Sequence, residues 1–127
     1  IVTTPQDIAL TDARKGIEMF EKVSVPVLGI IENMSYFICD ECGANHSLFG
    51  VGGGKRVADE YNTTVLGQFP LDQSIREQTD VGLPPVAKDP TSEISLLYVE
   101  ASRRIAGTLF QSVNQRAAGP SITMDDQ

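Results

Sequence analysis

The sequence predicts an α/β protein built on a parallel sheet, with about three strands and flanking helices. Three observations predict it. Val25 to Ile31 (Val-Pro-Val-Leu-Gly-Ile-Ile) is a nearly continuous apolar run directly after a helical pattern, as in a strand covered on both faces. Thr63 to Phe69 is a second such run, after a shorter helical stretch. A long helical stripe then closes the chain, so strands and helices alternate along the sequence.

In chain order, Ile1-Val2-Thr3 reads as the end of a strand, and the chain is therefore expected to be a fragment whose upstream strands are absent. Thr4 is placed to cap the next helix with Pro5 at its first position, where a missing N–H costs nothing. Ala9, Ala13, Ile17 and Phe20 recur at helical spacing, so this helix should run to about Lys22. The strand from Val25 to Ile31 follows, with Pro26 tolerated at its start. Residues 34–50 read as a long functional loop carrying a small knuckle. A short helix is expected around Lys55 to Tyr61, the strand at Thr63–Phe69, a helical turn at Asp72–Thr79, and an extended connection from Val81 to Val86. The last helix is capped by Asp89 or Thr91, with Pro90 near its first position and Glu93 in its first turn. Its core stripe is Ile94, Leu97, Ala101, Ile105 and Leu109, with Tyr98 alongside. One structural unit is expected over 1–115, and a flexible tail over 116–127.

Composition narrows the function. The 127 residues carry ten Lys+Arg against seventeen Asp+Glu, a formal net charge of −7. An acidic chain without a basic run lacks the means to neutralise phosphates, which argues against a nucleic-acid partner. No apolar run approaches the ~18 residues that span a bilayer, and the start does not resemble a signal peptide. Two cysteines are too few for a disulfide scaffold and point to a reduced, cytoplasmic setting with metal or redox work.

Cys39-Asp40-Glu41-Cys42-Gly43 carries the clearest chemistry. A two-residue gap lets both thiolates turn toward one metal, and Gly43 permits the tight turn that such knuckles use. A redox pair would sit at a helix start, where thiol pKa falls. Here the pair follows a loop, and Asp40 and Glu41 are expected to raise the pKa of a free thiol. Two unliganded cysteines remain a third reading. Zinc or a [4Fe–4S] cluster held by Cys alone needs four thiolates, and the chain has two. Either two chains each donate a pair, or other ligands complete the shell. His46, the only histidine, is either such a ligand or a solvated loop residue.

The cluster Gly50-Val51-Gly52-Gly53-Gly54-Lys55 is not a phosphate loop. A Walker A motif would need Gly where Phe49 stands and Ser or Thr where Arg56 stands. These glycines read as a flexible turn into a helix. Asn33 and Asp72 each follow a strand, where α/β sheets bind ligands. Asn33 is thus a ligand contact or a local capping or turn residue, and Asp72 is expected beside it on one edge of the sheet, which favours the ligand reading.

Taken in order, Thr3-Thr4-Pro5-Gln6-Asp7, Gly29-Ile30-Ile31-Glu32-Asn33-Met34-Ser35, Cys39-x-x-Cys42-Gly43, Phe49-Gly50, Leu66-Gly67-Gln68-Phe69-Pro70-Leu71-Asp72 and Asp80-Val81-Gly82-Leu83-Pro84-Pro85-Val86 form a set. Over residues 1–110 this set closely resembles the C-terminal part of the Mrp/ApbC iron–sulfur cluster carriers. These are deviant-Walker P-loop ATPases of the SIMIBI type, related to MinD and the nitrogenase iron protein. The resemblance implies a cytoplasmic homodimer that binds a [4Fe–4S] cluster between subunits and passes it to apo iron–sulfur proteins, with ATP and Mg²⁺ used by the full-length protein. It implies Cys39 and Cys42 as cluster ligands, two from each subunit. It further implies Asn33 as an adenine contact and Pro70-Leu71-Asp72 as the wall of the base pocket. It assigns nothing to His46 or the glycine cluster. The family's P-loop, switch segments and Mg²⁺-binding Asp have no counterpart in these residues, so the chain alone is expected not to hydrolyse ATP. The alternative is a structural zinc-binding CxxC that joins two chains, with zinc in place of the cluster.

Overall fold

The computed structural model describes residues 1–116. Its elements are β1 (Val2–Thr3), α1 (Asp7–Lys22), β2 (Ile30–Ile38), β3 (Asn45–His46), α2 (Gly53–Glu60), β4 (Val65–Pro70), α3 (Gln73–Asp80), α4 (Pro85–Lys88) and α5 (Glu93–Arg116). β2 is the central strand, with β1 parallel on one side and β4 parallel on the other. Its far end turns back on itself, and β3 pairs antiparallel with Phe37 and Ile38. The expected tail lies outside the described residues, apart from Arg116, which closes α5.

α1 and α2 cover one face of the sheet. Leu10 and Ile17 from α1 and Val57 and Ala58 from α2 bury against Ile30, and Arg14 and Glu60 join the two helices by an ion pair at 2.8 Å. Of the expected α1 stripe, Ala13 and Ile17 are buried, joined by Leu10, while Ala9 and Phe20 are half-buried. Gln6 rather than Thr4 occupies the N-cap. The Thr4 hydroxyl instead donates to Gln6 Oε1 at 3.0 Å, and Pro5 is buried under the glycine-rich start of α2.

α5 covers β4 on the opposite face. Ala101 packs on Gly67, and Tyr98 stacks on Phe69 with ring centroids 4.3 Å apart. Ser92 precedes the helix and its hydroxyl accepts the Ser95 N–H at 3.3 Å, while Asp89 accepts the Thr91 N–H at 3.0 Å. Ile94, Leu97 and Ile105 are half-buried as the stripe predicts, but Leu109 is 49% exposed. A helix of 24 residues is about 36 Å long, whereas a strand of six spans about 20 Å. Thr108 and Gln111 already border Thr64, before β4 begins, so the last turns outrun the sheet.

The expected strand at Val25–Ile31 is displaced: β2 runs from Ile30 to Ile38. Pairing starts at Gly29, whose C=O accepts from the Ile1 amino group at 3.0 Å, and Ile30 N donates to Thr64 O at 2.8 Å. The apolar residues before it approach the sheet without joining it, and Pro26 has no N–H to give a ladder. Part of the expected 34–50 loop is therefore strand. The Val81–Val86 connection also contains a turn of helix, α4, entered through Pro84 and Pro85.

Two glycines test the packing in opposite directions. A Cβ on Gly53 would lie 2.9 Å from Pro5 Cα, Pro5 O and Leu10 Cδ1, and the first two are backbone atoms that cannot swing away. Gly53→Ala is expected to cost about 1–3 kcal/mol of stability. Gly107, inside α5, has open space around the same position among the described residues. Gly107→Ala should raise stability by about 1 kcal/mol. Urea unfolding of the two variants beside the wild type measures both.

Candidate functional site

The site is organised by a carboxylate that the sequence reading passed over. Glu32 lies in the middle of β2 and is 1% exposed. Its Oε1 accepts from the Ser35 hydroxyl at 2.5 Å and from Gln68 Nε2 at 2.9 Å, and its Oε2 accepts from the Gly54 N–H at 2.5 Å. Burial pushes this carboxyl up. The bonds from Ser35, Gly54 and Gln68, with the charge of Arg56, outweigh that and hold it below the usual carboxylate value. A signal was available, since a lone charge inside an apolar strand run must be paired to be buried.

Glu32 and Ser35 face the same interior because β2 bulges between them. Glu32 pairs with Gln68 but Tyr36 pairs with Pro70, so β2 advances four residues while β4 advances two. Met34 sits in the bulge at φ 53°, and the Asn33 side-chain oxygen accepts its N–H at 3.0 Å. The same carboxylate closes the start of α2. Gly52, in the left-handed region at φ 66°, has no side chain to cap the helix, and Glu32 takes the Gly54 N–H from across the fold. A Cβ on Gly54 would stand 3.0 Å from Glu32 Oε2. The expected turn is present at Gly50 and Gly52, but Gly53 and Gly54 are packed rather than flexible. The anion-binding end of this helix is already filled.

Beyond the bulge, β2 delivers the cysteines. Phe37 pairs with His46 and Ile38 with Asn45. One step further, Cys39 N donates to Ala44 O at 2.9 Å and Gly43 N donates back to Cys39 O at 2.8 Å. Gly43 at φ 70° makes the reversal. Cys39 is half-buried and Cys42 exposed, and both are free thiols. The acidic neighbours were expected to raise the thiol pKa. Cys39 instead lies below the ordinary value: the N–H groups of Cys42 and Glu41 and the Cys42 thiol stabilise its thiolate, outweighing the charge of Asp40. His46 is exposed on β3, its ring 6.5 Å from that of Phe37. Among the described residues no group of three or more His, Cys, Asp or Glu side chains is placed to hold a metal ion. One chain therefore offers two thiolate ligands from one turn, half of a tetrahedral shell.

A cleft of about 780 Å³ opens between the end of β2, the start of α3 and α5, bordered by Tyr36, Ile38, Pro70, Leu71, Ile94 and Leu97. Asp40, Asp72, Glu77 and Glu93 also line it, and no Lys or Arg does, so it disfavours a phosphate group. Pro70, Leu71 and Asp72 thus share this cleft, and Asn33 is not among the residues that line it. The Asp72 carboxylate accepts from the Ser74 N–H at 2.7 Å as the N-cap of α3. Asn33, as noted, bonds its own backbone.

A parallel sheet with helices on both faces, its central strand ending in a Cys-x-x-Cys turn, defines part of a MinD-like P-loop NTPase fold. Among solved structures, the chain is similar to the cell-division ATPase MinD of Pyrococcus furiosus (TM-score 0.64, 24% identity, 83% of this chain and 40% of that one), a likeness of fold. It is similar also to a nucleotide-binding protein in complex with ADP from Archaeoglobus fulgidus (TM-score 0.57, 32% identity, 71% of this chain and 36% of that one). Within that class the ParA family model, described as NUBPL iron-transfer P-loop NTPase, matches residues 1–106, and the chain belongs to this family. It is 54% identical over 110 residues to the iron-sulfur cluster carrier protein of Salmonella typhimurium, covering 87% of this chain and 30% of that protein. It is 46% identical over 112 residues to the iron-sulfur cluster transfer protein NUBPL of Mus musculus, covering 88% and 35%. The chain thus spans about a third of the length of these relatives.

Glu32→Gln replaces a triple acceptor by a group that must turn an N–H₂ toward Gly54, Ser35 or Gln68. At pH 7 the variant should lose about 1–3 kcal/mol, the cost of an unsatisfied buried partner. Because the folded carboxyl lies below its ordinary 4.5, its contribution is complete above that pH and fades as pH falls through the folded value. Urea melts at pH 7 and in steps below pH 4.5 should therefore show the gap between wild type and variant narrowing with acid.

Proposed function

We propose that this chain is the cluster-binding part of an iron–sulfur cluster carrier. In this reading Cys39 and Cys42 of two subunits together hold a [4Fe–4S] cluster, which is cargo for apo iron–sulfur proteins. The observation that carries it is the half shell: two free thiols presented from one turn, and no further ligand set among the described residues. Four thiolates complete a cluster, and a two-fold pairing of hairpins supplies them. The names of the relatives and the family description support the same cargo.

In this reading nucleotide hydrolysis belongs to the remainder of the longer protein. This sequence contains no Gly-Lys-Ser/Thr loop, Glu32 fills the start of α2, and the acidic cleft disfavours phosphate. Pro70, Leu71 and Asp72 remain the candidates for contact with a base. Asn33 would have to release the Met34 N–H before it could pair with an adenine edge. No described helix is long and apolar enough to cross a membrane, and free thiols suit a reducing, cytoplasmic setting.

Anaerobic reconstitution with iron and sulfide tests this. About four irons per two chains, with dimer mass by sedimentation, are expected for the wild type, and Cys39→Ser should abolish uptake. Colourless protein that binds one zinc per two chains, takes up no iron and dissociates on chelation would establish the zinc-knuckle reading instead.

A further inference from the structure

The two cysteines are not equivalent, and the difference bears on how a cluster would leave. Cys39 continues the last rung of the β2–β3 ladder. Its N–H and its C=O are both fixed, to Ala44 O at 2.9 Å and Gly43 N at 2.8 Å, and the side chain is half-buried. Cys42 lies in the turn itself, exposed, next to left-handed Gly43. Its C=O has no backbone partner among the described residues. On this chain an incoming group reaches exposed Cys42 more readily than half-buried Cys39, whose backbone is fixed through both its N–H and its C=O.

We propose that Cys42 is the ligand exchanged first when a cluster passes to an acceptor, and that Cys39 anchors the cluster until the transfer is complete. This inference rests on the reading that both cysteines hold the cluster. In the first step a thiol of the acceptor approaches the iron held by Cys42. A new iron–sulfur bond forms to the acceptor as the bond to Cys42 Sγ breaks, and the acceptor's proton ends on the released Cys42 thiolate. No electron moves, so the cluster keeps its charge and needs no reductant. The leaving thiolate must take up that proton.

The test uses the anaerobically reconstituted wild-type dimer, challenged with substoichiometric glutathione and quenched at short times with iodoacetamide. Tandem mass spectrometry of the peptide that carries both cysteines distinguishes alkylation at each. Early in the exchange Cys42 should be modified ahead of Cys39 by about tenfold, a gap of the size that exposure and environment produce in cysteine reactivity. Equal modification, or Cys39 ahead, overturns the proposal while leaving the cluster reading intact. A wild type that takes up no iron overturns both. A second comparison uses variants. Reconstituted with excess 2-mercaptoethanol, Cys42→Ser should regain iron because the added thiolate fills an open position, and Cys39→Ser should not. Recovery in Cys39→Ser alone, with both apo-variants melting like the wild type, would reverse the order.

Discussion

Glu32 holds the sheet, the start of α2 and the cysteine-bearing end of β2 in one arrangement. Its two oxygens take three donors from three places: the Ser35 hydroxyl within its own strand, the Gly54 N–H at the head of α2, and the Gln68 amide on β4. A buried carboxylate with fewer partners would be a liability of several kcal/mol. With all of these bonds made, its charge becomes a geometric constraint. The bulge at Asn33–Ser35 has to form for Ser35 to face Glu32, and the bulge sets the register in which Tyr36 meets Pro70. Everything beyond it, from Phe37 to Cys39, inherits that register.

The same carboxylate explains why the glycine cluster is rich in glycine without binding phosphate. In a phosphate loop, glycines let the backbone approach an external anion at a helix start. Here the anion is internal. Gly54 brings its N–H onto Glu32, Gly53 lets the helix touch the Pro5 backbone, and Gly52 makes the left-handed entry. The physics is that of a nucleotide site, with a side chain of the fold in the ligand's place. Counting residues against a motif excluded the phosphate loop, but only the structure shows what stands there.

How much of this was legible in the sequence follows from how local each signal is. The periodicity of α1 and the long α5 stripe come from single-helix spacing, so they were readable to within a residue or two at most ends. Leu109 was misassigned because a helix pattern does not reveal where the neighbouring strand stops. β2 was displaced for a similar reason: Val25–Leu28 is apolar enough for a strand, but no rung begins before Gly29. The bulge was invisible, since it depends on Gln68 and Gly54, 36 and 22 residues away from Glu32. Cys39-x-x-Cys42-Gly43 was fully legible as a turn, because its geometry is made by consecutive residues. The sign of the effect on Cys39 was not, because charges are visible in a sequence and the direction of backbone N–H groups is not.

That last contrast bears on how a carrier differs from a structural metal knuckle. A structural site gains by enclosing all its ligands equally, since any loose ligand is a route to loss of the metal. The hairpin does the opposite. It is anchored at Cys39 by a paired strand end and left open at Cys42 by an exposed turn. In the dimer proposed above, two such hairpins would hold a cluster by two half-buried thiolates and two exposed ones. In the proposed carrier the anchored half would supply the affinity and the exposed half the capacity to yield the cargo.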